Sequence, residues 1–162
     1  MSLAVAVLAF VTAERLAELV LARRNTARLL AAGAKEYAAG HYKLIVALHA
    51  AWLATLLVLA PGRPVSLAWL ALFAVLQVLR LWVLATLGGR WTTRIIVLPG
   101  APLVARGPYR LLRHPNYAIV VGEIAVLPLA FGLPLVALIF SLLNAVVLTL
   151  RIRTENEALA GL

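Results

Sequence analysis

The sequence predicts an all-α integral membrane protein of about five transmembrane helices, with one long polar loop and a C-terminal helical hairpin. Three observations predict it. Hydrophobic residues make up 64% of the 162 residues and the mean hydropathy is +1.01, whereas soluble domains hold about 45–50% apolar residues. Several apolar stretches approach or exceed the roughly 20 residues needed to cross a hydrocarbon core. The basic residues gather between those stretches. The whole chain, 1–162, reads as a single membrane domain.

The first span is placed at residues 3–22. Its apolar start lacks the basic stretch of a signal peptide. Val11-Thr12-Ala13 before Glu14 imitates a cleavage site, but the segment is expected to be a retained helix. The second and third spans, 43–60 and 65–87, are joined by the tight turn Pro61-Gly62-Arg63-Pro64. The fourth and fifth, 116–130 and 133–157, are joined by Phe131-Gly132-Leu133-Pro134 and form the hairpin. Pro128 falls near the end of the fourth span, where a kink or early stop is tolerated.

Lys and Arg total 15 against 6 Glu and no Asp, a net charge of +9. In a soluble chain that balance would point to nucleic acid. Here it follows the positive-inside pattern, so no nucleic-acid partner is expected. Arg23, Arg24, Arg28 and Lys35 follow the first span, Arg90, Arg94, Arg106, Arg110 and Arg113 lie within 88–115, and Arg151 and Arg153 lie near the C-terminal end. The two short turns contribute only Arg63. The basic segments are therefore expected on the cytoplasmic side, with the N-terminus opposite, in a bacterial inner membrane. Cysteine is absent, which excludes disulfide and thiol chemistry. With His41, His49 and His114 and no Asp, no metal site is expected.

The segment 88–115 is the one long connection without spanning character. Trp91-Thr92-Thr93-Arg94-Ile95-Ile96-Val97 is rich in β-branched residues and predicts a short hairpin or extended flap. Pro99-Gly100-Ala101-Pro102 is turn material. Loops of this length are often functional. For Arg90 and Arg94, anchoring to lipid headgroups is the favoured role.

Within it, Arg106-Gly107-Pro108-Tyr109-Arg110-Leu111-Leu112-Arg113-His114-Pro115-Asn116-Tyr117 carries the most information. Gly107-Pro108 forces a turn, Pro115 biases His114 away from helical geometry, and Asn116 suits a helix cap. Arg113 and His114 are thereby held just outside a helix N-terminus, whose amides and dipole favour an anionic group such as a cofactor carboxylate.

On the last span, Asn144, Leu148, Arg151 and Glu155 recur at steps of four, three and four and share one face. Arg151 and Glu155 are placed to pair as i,i+4 neighbours. Glu157 lies about 200° from Glu155 around the helix, so Glu155 is the better candidate for the polar face. Glu14, Arg15 and Glu18 form a third set, for which an Arg15–Glu18 ion pair is the favoured reading. Glu123 is expected to hold an arginine, with Arg80, Arg113 and Arg151 all open. His41 and His49 are read as interfacial or interhelical hydrogen-bonding groups.

Residues 103–109 (Leu-Val-Ala-Arg-Gly-Pro-Tyr), Arg113-His114-Pro115-Asn116-Tyr117, and Arg151 to Glu155 before Leu159 resemble the isoprenylcysteine carboxyl methyltransferase family. The likeness is most specific over 91–159. Glu14-Arg15, Arg23-Arg24-Asn25 and Gly40-His41-Tyr42 look like its short bacterial branch, which includes alkylpyrone and phenolic-lipid O-methyltransferases. The resemblance implies S-adenosylmethionine as cofactor. It implies Leu103, Val104, Gly107, Tyr109, His114, Pro115, Tyr117 and Glu155 around that cofactor, and Arg113, Arg151 and Glu155 in the catalytic role, the segment 88–115 being the cytoplasmic cofactor-binding loop. Two departures matter: Ile119 replaces the family's usual Gly after the His-Pro motif, and Glu155-Asn156 replaces its paired Glu-Glu. Both weaken transfer of the prenylcysteine substrate more than of the cofactor.

The expected activity is O-methylation of a lipid-like acceptor bearing a carboxyl, enol or phenol, with membrane lipids as surroundings. A carboxylate or an acidic enol is largely ionised near neutral pH and needs no strong base, and an arginine can orient it. Phospholipid N-methylation is the alternative, and a non-catalytic scaffold or transporter subunit is the alternative outside enzymes. The acceptor and the oligomeric state are not read from the sequence.

Overall fold

Apolar residues without strong helix breakers fill long runs of this chain, and each run folds as a helix ended by Gly or Pro. The computed structural model describes residues 2–160, so residues 1, 161 and 162 of the expected single domain lie outside the described part. Five α-helices result: α1 (Leu3–Ala31), α2 (Ala39–Leu59), α3 (Leu67–Leu87), α4 (Pro115–Ala130) and α5 (Pro134–Ala160). Two short strands, β1 (Lys35–Tyr37) and β2 (Ile95–Val97), and 3₁₀ turns at Gly88–Arg90 and Gly107–Arg110 complete the order.

By length and apolar composition, α2, Leu67–Arg90 (α3 with its 3₁₀ turn) and α5 qualify as membrane spans, and the chain is an integral membrane protein. α4 is apolar but has 16 residues, about 24 Å at 1.5 Å per residue. α1 carries Glu14, Arg15 and Glu18 in its middle. At 29 residues it extends about 43 Å, longer than the roughly 30 Å hydrocarbon core. The expected end at residue 22 is therefore too early: α1 runs about two and a half further turns, exposing Arg23, Arg24 and Arg28. α2 likewise begins at Ala39, four residues before its expected start.

The two short turns meet at one end of the bundle. Ser66 donates its amide to Ala130 O at 2.8 Å, and Arg63 Nη1 reaches Gly132 O at 3.3 Å. Pro128 accepts from the amides of Phe131 and Leu133, so the proline closes α4. At the opposite end, the buried Asn25 Nδ2 donates to Gly88 O and Trp91 O, fixing the end of α1 to the end of α3. We call these the turn end and the loop end. α1, α3 and α5 run toward the loop end, while α2 and α4 return.

All five helices contribute to the main apolar core, with Leu8 and Val11 of α1, Trp52 and Leu56 of α2, Phe73 of α3, Ile124 and Leu127 of α4, and Val136 of α5. α4 sits between α3 and α5, and α2 packs on α5. The remaining large apolar side chains, such as Val58, Val78, Leu142 and Val146, face outward, as a lipid-facing surface requires.

The extended segment of 91–97 does not fold back on itself as a hairpin. β2 pairs antiparallel with β1 in the register Lys35↔Val97, Glu36↔Ile96 and Tyr37↔Ile95. Three residues per strand give too few ladder bonds to stand alone, and the last turns of α5 support this ribbon through Ala158 and Leu159 against Ile95 and Val97. Arg94 adds an ion pair to Glu36 at 2.9 Å and lies 4.4 Å above the Tyr42 ring. Arg90 Nη1 bonds Pro102 O at 2.6 Å. Both arginines thus tie the loop to the protein.

Candidate functional site

The His-Pro junction begins α4. His114 has non-helical φ −130°, ψ 62°, and Pro115 occupies the first turn, where its missing amide costs nothing. The capping position falls to His114 instead of Asn116, and no side chain caps the helix. Asn116 lies inside the first turn, its Oδ1 buried and without a hydrogen-bond partner. Pro115 itself is buried.

The start of α4 meets the C-terminal quarter of α5. Tyr117 donates its hydroxyl to Glu155 Oε2 at 2.7 Å. The His114 ring stacks on Tyr117 with centroids 5.5 Å apart, and its Nδ1 stands 3.8 Å from Glu155 Oε2. Its Nε2 lies 3.1 Å from Asn156 Oδ1. Asn156 was missed by sequence reasoning; its adjacency to Glu155 was the available signal.

Arg151, 4% exposed, turns toward the ribbon. Its Nη2 donates to Thr93 O at 2.9 Å. Among the described residues the i,i+4 ion pair with Glu155 does not form; the carbonyl takes the guanidinium instead. Asn144 shares this face, 1% exposed and with Oδ1 unpartnered. Arg113 is exposed and makes no ion pair among the described residues.

Tyr109 sits in the 3₁₀ turn Gly107–Arg110 and packs beside Val83, Trp91 and Ile119. Burial, and secondarily the Glu155 carboxylate, push its hydroxyl up to about 12. Gly107 holds this turn against α3 with φ +57°; a Cβ there would stand 2.5 Å from Thr86 Oγ1. Leu103 and Val104 line a neighbouring cavity of about 460 Å³, with Thr86, Arg90 and Arg106 among its walls. His114, Tyr117 and Glu155 do not border that cavity.

Deeper in the bundle lies an ionic cluster. Arg80 bonds both oxygens of Glu18 and, through Nη1, Glu123 Oε2 at 2.9 Å. Arg15 bonds Glu18 Oε2 at 2.9 Å and Glu123 Oε1 at 3.0 Å. Gln77 Nε2 donates to Glu123 Oε1 at 2.8 Å. The Arg15–Glu18 pair is as expected, and of the three arginines open to Glu123 it is Arg80 that pairs, joined by Arg15. His49 bonds the Ile45 carbonyl of its own helix, while His41 Nδ1 is buried without a partner. Among the described residues no group of His, Cys, Asp and Glu could hold a metal ion.

A helix N-terminus, two stacked rings and a carboxylate converge at the loop end of an apolar bundle, so the class is an integral membrane protein with a polar cluster at one end. Residues 69–161 match the Isoprenylcysteine carboxyl methyltransferase (ICMT) family, and the chain belongs to that family. It is also 39% identical over 157 residues to the uncharacterized protein YpbQ of Bacillus subtilis (strain 168), covering 94% of each chain. No solved structure matches.

The donor set suits a zwitterionic, hydroxyl-bearing cofactor of the methyl-donor type. Glu155 has acceptor capacity for an amine or a ribose hydroxyl, the uncapped amides at the start of α4 would suit a carboxylate, and Asn116 Oδ1 has no donor among the described residues.

Proposed function

We propose that this chain is an S-adenosylmethionine-dependent O-methyltransferase acting on a lipid-like acceptor that carries a carboxyl, enol or phenol. The observation that carries this reading is the Tyr117–Glu155 hydrogen bond with His114 stacked beside it, which joins two segments inside the family-matched range 69–161. When bound, the cofactor supplies a methyl group on a sulfonium, and in-line displacement by oxygen depends chiefly on alignment.

The residues divide that task. Glu155, Tyr117, His114 and the first amides of α4 hold the cofactor, with Pro115 setting the junction. Gly107 and Tyr109 close it from the loop, and Leu103 and Val104 line the adjoining cavity, into which the cofactor would have to extend to meet them. Arg151, kept rigid by Thr93 O, orients the acceptor anion, and the exposed Arg113 attracts it from the surface. An ionised carboxylate or enolate needs no buried base, and the arginines of the deep cluster are committed to carboxylates already. All five helices cross the membrane in this reading, α1 by enclosing its charges against α3 and α4. The loop end carries most of the exposed arginines and faces the cytoplasm of a bacterial inner membrane.

S-adenosylhomocysteine titration of detergent-solubilised protein tests the cofactor site. Saturable binding in wild type, weakened about 10- to 100-fold in Glu155→Ala, is expected; no binding in either removes the enzymatic reading. Labelled methyl transfer to prenylcysteine analogues, alkylpyrones, alkylresorcinols and phosphatidylethanolamine then names the acceptor. Arg151→Ala is expected to lower turnover more than cofactor affinity, and transfer to phosphatidylethanolamine alone would replace O- with N-methylation.

A further inference from the structure

A second cavity, of about 380 Å³, lies between α1 and α3 near the turn end. Val7 and Phe10 of α1 and Phe73 and Ala74 of α3 are among its walls, and Gln77 is the polar residue that lines it. Its volume falls within the range of small-molecule sites. Phe10 is 59% exposed at its margin, so the cleft opens sideways to the bilayer.

The ionic cluster begins where the cleft stops. Gln77 is 8% exposed, and its Nε2 is taken by Glu123. That bond fixes the amide's orientation, because a carboxylate accepts and does not donate. Gln77 Oε1 is then an acceptor, buried and without a partner. Glu14, one helical turn beyond Phe10 on the same face, presents a second buried acceptor without a hydrogen-bond partner, Oε2. Its contact with Arg15 is 3.5 Å.

The guanidinium hydrogen bonds go to Glu18 and Glu123, and Arg15 meets Glu14 Oε2 only as the 3.5 Å ion pair. Three carboxylates face two guanidiniums, so with all of them ionised the cluster carries one more negative charge than positive. Glu14 lies about 16 Å along α1 from Leu3 at 1.5 Å per residue, near the middle of a hydrocarbon core about 30 Å thick. Bulk water is absent at that depth, and an unpaired polar group there is costly.

We propose that this cleft binds a membrane amphiphile with a neutral hydroxyl head, an alcohol or phenol on a hydrocarbon chain, its O–H donated to Gln77 Oε1 and its chain lying between α1 and α3. A hydroxyl fits where an ammonium does not: it crosses hydrocarbon at modest cost, whereas a charged head is excluded from that route. The site is separate from the cofactor site. Glu123, the partner of Gln77, is six residues or about 9 Å along α4 from Tyr117, with the ionic cluster between them. The ligand is thus held away from the methyl-transfer site, and its binding is independent of the methyl-transfer reading.

Photolabelling of the full chain in phosphatidylcholine nanodiscs tests this. The probes are a diazirine-bearing long-chain alkylphenol and its methyl ether, which keeps the chain but lacks the donor. The phenol is expected to label peptides of α1 and α3 around Phe10 and Ala74, with the ether about tenfold weaker, as loss of one buried hydrogen bond implies. Ala74→Phe fills the cleft without touching the ionic cluster and should abolish labelling, while Gln77→Leu should erase the preference for phenol over ether. Equal labelling by the two probes in wild type, or undiminished labelling of Ala74→Phe, overturns the proposal. S-adenosylhomocysteine binding measured on Ala74→Phe should be unchanged, which separates failure here from failure of the cofactor site.

Discussion

The Tyr117 hydroxyl donates to Glu155 at 2.7 Å and so bonds the first turn of α4 to the penultimate turn of α5. The hydrogen bond does two things at once: it closes the hairpin opposite its turn, and it points a carboxylate at an uncapped helix N-terminus. In the proposed reading, the anionic group beside those amides and a stacked imidazole receives a ligand with both charges.

Removing each partner separates these roles. Glu155→Ala should weaken S-adenosylhomocysteine binding about 10- to 100-fold, since bonds to a charged group are worth about 1.5–3 kcal/mol. Tyr117→Phe keeps the carboxylate and the ring stack and should cost about 1 kcal/mol. Calorimetric titration of both variants checks the order; an equal effect would mean that the tyrosine, rather than the carboxylate, holds the ligand.

The ionic cluster should dominate stability. Arg80→Met leaves Glu18 and Glu123 buried with reduced compensation and is expected to lower stability by about 3–5 kcal/mol. Arg94→Met removes a bridge to Glu36 whose arginine side chain is 38% exposed and should cost about 1 kcal/mol or less. Thermal unfolding in one detergent gives the comparison.

Gly107 is both left-handed and crowded. Gly107→Ala should cost about 1–2 kcal/mol from backbone strain alone and displace Tyr109 from its packing. A double variant with Thr86→Ala relieves the 2.5 Å contact but not the strain. Stability and S-adenosylhomocysteine affinity should therefore recover only in part, and full recovery would locate the whole penalty in the contact.

Tyr109 makes a pH prediction. Its hydroxyl is held up to about 12, first by burial and then by Glu155, against an ordinary value of about 10. The folded state therefore binds this proton more tightly than the unfolded chain does. The stabilisation is complete below about pH 10 and is lost as the pH rises toward 12. Tyr109→Phe should show a shallower alkaline decline in melting temperature across that window, and parallel curves would contradict the buried hydroxyl.

Some of this was legible in the residues. Pro61-Gly62-Arg63-Pro64 and Phe131-Gly132-Leu133-Pro134 mark turns by their own backbone restrictions, and the structure puts both at one end. His114-Pro115 marks the start of α4 because proline constrains the residue before it. Asn116 was misassigned as the cap for a similar local reason: its side chain suits the role, but Pro115 already occupies the first turn. The common face of Arg151 and Glu155 follows from helical periodicity, yet periodicity does not say which partner each side chain meets. Arg151 chose a carbonyl on the ribbon and Glu155 a tyrosine on another helix.

Hydropathy, charge spacing and turn chemistry are properties of neighbouring residues, so the apolar helices, their order and the polar segment between α3 and α4 could be read from the chain. Contacts between distant residues depend on how the helices rotate and approach one another, which local pattern does not encode. Packing alone joined Arg80 to Glu18 and Glu123, paired Lys35–Tyr37 with Ile95–Val97, and brought Asn156 to His114. In a medium without water to satisfy stray polar groups, those distant pairings are what make the buried charges of α1 tolerable and bring His114, Tyr117, Glu155 and Asn156 together at the loop end.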